Sequence, residues 1–86
     1  MMAFFQILRW QDIPTQVKVW VDFDEVRLEL PPRFMARVDQ LAQSRGLTGT
    51  DDYLSQWKWS ETRERQGALS DVADAVCKEL EGTFPK

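Results

Sequence analysis

Residues 16–30 read QVKVWVDFDEVRLEL, and this stretch determines the fold class. Its first seven residues alternate three valines with polar residues and one tryptophan, and its last six alternate charged with aliphatic residues. Successive side chains of a strand point to opposite faces of a sheet, so each half predicts a strand with one buried side. Phe23 and Asp24 between them leave room only for a tight turn. The stretch therefore predicts an antiparallel hairpin.

The segment before the hairpin is more apolar. Residues 3–10 read AFFQILRW and are followed by the turn-forming residues Gln11, Asp12 and Pro14, which predicts a first strand over Ala3–Trp10. Both faces of this strand carry aromatic or aliphatic side chains. We therefore expect it to be central in the sheet or covered on both sides.

A helix over Pro32–Arg45 is predicted to follow the hairpin. Pro31 and Pro32 have no backbone N–H to donate to a neighbouring strand, and proline suits the first turn of a helix. Apolar side chains recur at intervals of three and four residues and form one stripe: Phe34, Val38, Leu41 and Ala42. Gly46 is expected to end the helix as a left-handed C-cap. Leu47 is expected to make the hydrophobic contact with the helix that often accompanies such a cap.

Two further helices are predicted in the second half of the chain. Thr50 is expected to cap a short helix with an acidic first turn. The residues expected to be buried there are Tyr53, Leu54 and Trp57. A last helix is predicted over Asp71–Gly82, with Ser70 as its cap and Phe84 and Pro85 at its end. Its inner stripe contains Leu69, Val72, Ala73, Val76 and Leu80.

Residues 56–65 allow two interpretations. They could continue the short helix, or Trp57, Trp59 and Glu61 could alternate with the residues between them as a fourth strand. The alternation favours the strand. The sequence thus predicts one α+β domain over residues 1–86, with a three- or four-stranded, mainly antiparallel sheet packed against two to three helices.

Composition excludes several classes of protein. The net charge is −3 and the pI about 4.8, so the positive field typical of nucleic-acid binders is absent and nucleic acid is disfavoured. A single cysteine, Cys77, cannot form a bridge within the chain and suggests a reducing, cytoplasmic location. The apolar start, Met1 to Leu8, is too short for a membrane span or a signal peptide. We expect no association with a membrane.

Residues for catalysis are scarce. The chain has no histidine and hence no imidazole base or zinc ligand. Cys77 lies deep in a predicted helix among acidic residues, which is typical of a packing residue or a plain thiol rather than of a nucleophile. The four glycines are scattered and form no phosphate-binding loop. Two groups of acidic residues could supply oxygen ligands to a metal ion. Helix capping accounts for Asp51 and Asp52, and a hairpin turn accounts for Asp22 and Asp24 with Glu25. We expect neither catalysis nor a cofactor or bound metal.

The four tryptophans are the unusual feature of the sequence. Several lie beside a cation, and aromatic and cationic residues are common in protein interfaces. If the valine side of the second strand packs on the helices, Trp20 and Lys18 lie on the other side, where Trp10 could join them. The candidates for partner binding are Trp10, Lys18, Trp20, Trp57, Lys58 and Trp59. Two alternatives remain open: the chain's own helices could cover these tryptophans, or alternating Lys and Trp could stack on single-stranded nucleic acid.

Several motifs together resemble the small bacterial "virulence factor" domain family. They are WQDIP with QVK at 10–18, the segment Pro31 to Phe34, GLTG at 46–49, Tyr53-Leu54 and WKWSE at 57–61. The resemblance implies a domain that occurs alone or within longer proteins of the conserved virulence factor C type, beside helical repeats. It also suggests gene neighbourhoods of folate- and corrinoid-dependent one-carbon metabolism. The family label describes a phenotype, and no catalytic residues carry over from it.

These observations predict a cytoplasmic bacterial accessory protein that binds another protein through an aromatic and basic surface. An alternative is a small subunit of a folate- or corrinoid-linked one-carbon enzyme complex, whose active site lies on the larger partner. A third is a single-stranded nucleic-acid module, which the acidic charge disfavours. An aromatic patch could also be covered in a symmetric homodimer.

Overall fold

The computed structural model describes residues 2–49 and 51–83, which form five strands and three helices. In chain order these are β1 (Met2–Trp10), β2 (Ile13–Val21), β3 (Asp24–Glu29), α1 (Pro32–Ser44), α2 (Asp51–Ser55), β4 (Trp57–Trp59), β5 (Arg63–Gln66) and α3 (Leu69–Thr83). All strand pairs are antiparallel. The predicted α+β class is confirmed.

β1 is the central strand, as the apolar character of both its faces predicted. It pairs with β2 on one edge, and β2 pairs with β3. On its other edge β1 pairs with two short strands, β4 near Trp10 and β5 near Met2. The sheet order is therefore β3, β2, β1, and β4 and β5 then lie end to end along the remaining edge of β1.

The strand interpretation of residues 56–65 is confirmed, although the segment forms two short strands, β4 and β5, with an interruption between them. Trp59 lies opposite Leu8 and Arg63 opposite Phe5, so residues 60–62 face only the two residues 6 and 7 of β1. At the interruption the Ser60 N–H donates to the Ile7 carbonyl at 2.8 Å, and the Ile7 N–H donates to the Ser60 hydroxyl oxygen at 2.8 Å. The serine side chain thus replaces a backbone acceptor and keeps the break hydrogen-bonded.

The two hairpin turns differ from prediction in their residues. Asp22 and Phe23, rather than Phe23 and Asp24, join β2 to β3, because Val21 pairs with Asp24. Asp22 has a φ of 51°, and aspartate tolerates this left-handed conformation better than most residues. Pro14 lies inside β2 rather than in the first turn. It is adjacent to a bulge, where the missing amide of a proline is tolerated.

The end of α1 follows the prediction closely. Gly46 has a φ of 68°, its N–H donates to the Gln43 carbonyl at 3.1 Å, and the Leu47 N–H donates to the Ala42 carbonyl at 2.8 Å. This pair of bonds is a Schellman motif. Leu47 packs against Ala42 and its neighbours in the core, which is the hydrophobic contact that accompanies the motif.

The other two helices correct parts of the prediction. Leu54 was expected to be buried but is 64% exposed, because α2 is only one turn long and turns Tyr53 rather than Leu54 toward the core. Ser70 does not cap α3, since the helix already begins at Leu69 and the Val72 N–H donates to the Ala68 carbonyl. The predicted cap Thr50 and the predicted end at Phe84 and Pro85 lie outside the described residues.

Two apolar clusters hold these elements together. In the larger one, one side of the sheet packs on the predicted inner stripe of α3, with Phe5, Ile7, Val17 and Val19 facing Val72, Ala73 and Val76. Phe34 from the first turn of α1 joins this cluster. The smaller cluster lies at the Trp10 end of the sheet and contains Trp10, Ile13, Val38 and Ala42, with Leu41, Leu47, Tyr53 and Trp57 packed around them. None of the helices formed by residues 2–49 and 51–83 has the length and hydropathy of a membrane-spanning segment.

Candidate functional site

The side of the sheet opposite α3 presents a row of aromatic and basic side chains, which we call the open face. Its central residues are Phe4, Leu8, Lys18, Trp20 and Trp59. The register places them together: Phe4 lies opposite Trp20, Gln6 opposite Lys18, and Leu8 opposite Trp59. Side chains alternate between faces along each strand, so these positions lie on one side when their neighbours Phe5, Val17 and Val19 pack on α3.

Lys18 lies between two indole rings on this face. Its Nζ is 4.5 Å from the ring centroid of Trp59 and 5.4 Å from that of Trp20. Both distances are within the range of cation–π attraction, which is stronger where water is partly excluded. Trp20 in turn stacks on Phe4, with 6.0 Å between ring centroids and 27° between ring planes. Three strands thus contribute to one continuous aromatic and cationic surface.

The open face is only partly shielded from water. Trp59 is 38% exposed, while Phe4, Lys18 and Trp20 are half-buried against one another. Charged residues of the neighbouring strand β3 lie at its border, where Arg27 donates to Glu25 at 2.8 Å. An apolar centre with a charged border is the usual composition of a protein interface.

Trp10 does not belong to this surface, and the expectation that it would join Lys18 and Trp20 was wrong. The Trp10 side chain is 0% exposed and its ring N–H donates to the Tyr53 carbonyl at 2.9 Å. The reason is that α1 covers the sheet at this end: Val38 and Ala42 pack on Trp10. The indole is therefore a core residue.

The remaining candidates divide between two places. Trp57 is half-buried beside Trp10 and meets Tyr53 edge-on at 6.2 Å, so it belongs mainly to the smaller core cluster. Lys58 is exposed and lies opposite Arg9, on the side of the sheet that α3 packs against. Of the six candidates, the structure brings together Lys18, Trp20 and Trp59.

Sequence reasoning missed Phe4 as a member of the open face. The signal was present, because Phe4 alternates with Phe5 in β1 and one of the two must lie on each side of the sheet. Its contact with Trp20 depends on the antiparallel register, in which the two residues are directly opposite. That register is fixed by the turn at Gln11 and Asp12, which the sequence predicted, together with the bulge in β2, which it did not.

The groups considered for chemistry occupy structural positions. Cys77 is buried in the α3 core, and burial raises the pKa of its thiol, with a further contribution from the charges of Glu81 and Asp74. A raised pKa leaves the thiol protonated near neutral pH and therefore weakly nucleophilic. Over the described ranges no three Cys, Asp or Glu side chains lie close enough together to hold a metal ion.

Comparison with known proteins gives one consistent result. A family model described as "Virulence factor" matches residues 8–86. The "Conserved virulence factor C" of Staphylococcus aureus strain bovine RF122 / ET3-1 is 31% identical over 81 residues, and that of strain NCTC 8325 / PS 47 is 30% identical over 81 residues. Each match covers 94% of this chain but 20% of the relative, so the chain spans about a fifth of their length. No solved structure matches. Because the family model covers nearly the whole chain and includes Lys18, Trp20 and Trp59, this protein is a member of the Virulence factor family.

Proposed function

We propose that this protein is a non-catalytic bacterial accessory protein that works in the cytoplasm and binds another protein through the open face. The observation that carries the proposal is the position of Lys18, whose ammonium group lies over both Trp20 and Trp59 at 5.4 and 4.5 Å. An ordered cation between two half-exposed rings is a preformed binding surface, since little side-chain entropy is left to lose on association.

The chemistry of the open face indicates what a partner would present. The rings of Phe4, Trp20 and Trp59 offer flat apolar area, and aromatic residues of this kind provide most of the energy at interface centres. The Lys18 ammonium remains able to donate hydrogen bonds. We expect a partner segment that has an apolar side chain, which packs on these rings, and an adjacent carboxylate, which accepts a hydrogen bond from the Lys18 ammonium.

The comparisons support an accessory role without identifying a partner. In the staphylococcal relatives the matching segment is 20% of a much longer chain. In those proteins the domain is therefore joined covalently to other parts of the polypeptide. We propose that in this chain the open face makes a corresponding contact with another protein.

A comparison of two double variants tests this proposal. Trp20→Ala with Trp59→Ala removes both rings around Lys18. Phe23→Ala with Leu54→Ala instead removes one fully exposed and one 64% exposed apolar side chain, neither of which is among the central residues of the open face. Each tagged protein is used to capture partners from an extract of the native organism, followed by mass spectrometry. Circular dichroism establishes that all variants are folded.

We expect the native protein and the Phe23 and Leu54 variant to recover the same partner, and the Trp20 and Trp59 variant to lose it. A recovered folate- or corrinoid-linked enzyme would assign the protein to a one-carbon complex, the alternative suggested by the family resemblance. Equal recovery by both variants would refute the role of the open face. Sedimentation of the purified protein covers the remaining case: a dimer that dissociates only in the Trp20 and Trp59 variant would make this face a self-interface and contradict the proposed partner.

A further inference from the structure

The other side of the sheet contains a groove that α3 leaves uncovered. α3 packs mainly on β2 and β3 and makes fewer contacts with β1. A helix with its side chains is about 10 Å wide and strands are about 4.8 Å apart, so one helix covers roughly two strands. The half of the face over β1 and β5 is open, and it forms a pocket of about 170 Å³ between these strands and α3.

Three arginines line this pocket: Arg9, Arg63 and Arg65. Strand register explains why all three lie on the α3 side of the sheet. Arg63 lies opposite Phe5 and Arg65 opposite Ala3, both of which face α3, and Arg9 follows Ile7 by two residues on the same side of β1. Lys58, opposite Arg9 in β4, adds a further cation to this side of the sheet.

The positive charge of the pocket is only partly neutralised. Arg65 forms an ion pair with Glu79 of α3, the one acidic residue in the pocket lining. Arg9 and Arg63 form no ion pair with any residue in the part of the chain that the structure describes. The pocket is therefore locally positive, although the net charge of the chain is −3.

The inner part of the pocket is apolar. Phe5 and Ile7 form its floor, at 9% and 7% exposure, and Val76 and Leu80 of α3 form its wall. Cationic groups beside a surface of low dielectric constant attract anions more strongly than they do in open water. The volume is near the roughly 150 Å³ that accommodates a benzene-sized group, and it is well below the roughly 300 Å³ of pockets that enclose whole drug-sized ligands.

We propose that this pocket binds the carboxylate end of a small amphipathic organic acid. The carboxylate pairs with Arg9 and Arg63, whose guanidinium groups match the geometry of its two oxygens. The attached apolar group, of four or five carbons by the volume, lies on Phe5, Ile7 and Leu80. The site is on the opposite side of the sheet from the open face, and it does not depend on the function proposed there.

Titration with defined probes tests the site on the 86-residue chain. The acid is 4-methylpentanoate, the neutral control is 4-methylpentanamide, and inorganic phosphate is an anion without an apolar part. Backbone amide signals of Phe5, Ile7 and Arg63 are followed by NMR. We expect saturable shifts with the acid at a Kd on the order of 1 mM, and binding of the amide and of phosphate weaker by at least about tenfold.

Two variants separate the site from general electrostatics. Arg63→Gln removes one unpaired cation of the pocket and should weaken acid binding by at least about tenfold. Arg27→Gln removes an exposed cation from β3 at the border of the open face and should leave acid binding unchanged. The proposal is overturned if the amide or phosphate binds as tightly as the acid, if the shifts do not saturate, or if Arg63→Gln and Arg27→Gln behave alike.

Discussion

Trp10 and Trp59 are the same residue type in opposite environments, which allows a direct prediction of stability. Trp10→Ala removes a side chain that is 0% exposed and leaves the Tyr53 carbonyl without its indole donor, so we expect a loss of about 3–5 kcal/mol in the free energy of unfolding. Trp59→Ala removes a side chain that is 38% exposed and should cost about 1 kcal/mol or less. Urea denaturation followed by circular dichroism measures both.

An equal loss of stability in the two variants would contradict the separation of the tryptophans into core and surface. A loss of about 3–5 kcal/mol is a large part of the roughly 5–15 kcal/mol by which small domains are stable, so Trp10→Ala could fail to fold at all. Trp10→Phe provides the second measurement. It keeps most of the apolar area but removes the hydrogen bond to Tyr53, and we expect it to be intermediate.

The sequence places individual residues on one side of a strand or the other, but it does not say what covers that side. Alternation correctly placed Lys18 and Trp20 on the face of β2 that points away from its valines. For Trp10 it could not decide between surface and core, because the outcome depends on Val38 and Ala42 of a helix about 30 residues further along the chain. Lys18 and Trp59 likewise meet only because β4 returns to β1.

At the scale of elements, two glycines near helix ends should respond oppositely to alanine. Gly46 has a φ of 68°, and a Cβ there meets no atom within 4 Å, so Gly46→Ala should be destabilising by about 1–2 kcal/mol through backbone strain alone. Gly82 lies in the last turn of α3 with the same free space and an ordinary helical conformation. Gly82→Ala should stabilise by up to about 1 kcal/mol.

Thermal and urea denaturation of the two alanine variants check the prediction, with the native protein as reference. Both substitutions add one methyl group in open space. If the changes in the free energy of unfolding have opposite signs, the difference comes from the backbone conformation at the two glycines. Destabilisation by both variants would mean that the added methyl group itself disturbs packing. No effect of Gly46→Ala would mean that the Schellman motif is not needed to end α1.

The elements themselves were predictable to different degrees for a physical reason. In the hairpin and in the helices α1 and α3, apolar residues recur with the period of a strand or a helix over the whole length of the element. Each of these elements was found close to its predicted bounds. α2 and β4 have five and three residues, too few to establish a period. The interruption at Ser60 could not be predicted, because its hydrogen bonds are made with Ile7, 53 residues earlier in the chain.

At the scale of the whole molecule, the shape explains why both sides of the sheet offer binding surface. The radius of gyration is 13.9 Å, against about 12 Å for a compact domain of this length, and the extents are 44 × 26 × 16 Å. The molecule is therefore flat, with α3 on one side of the sheet and α1 covering only the Trp10 end. The helices thus leave the open face uncovered on one side and the arginine-lined pocket beside α3 on the other.

The overall charge leads to a prediction about nucleic acid. Although Lys18 lies between Trp20 and Trp59 in an arrangement that could stack on bases, the chain has a net charge of −3 and the border of the open face includes Glu25 and Glu29. We expect no retardation of a single-stranded DNA oligonucleotide in a gel-shift titration at low salt. Retardation that falls steeply as salt is raised would instead identify a nucleic-acid module.

The pairing of β1 on both edges has a consequence for biosynthesis. The ribosome makes β1 and β2 almost together, but the strand that completes the other edge follows much later: Gln6 and its partner Ser60 are 54 residues apart. At roughly 5–20 residues per second, the central strand waits about 3–11 seconds for that neighbour. During this interval the nascent chain presents an unpaired, aromatic-rich edge, which is the kind of segment that chaperones recognise.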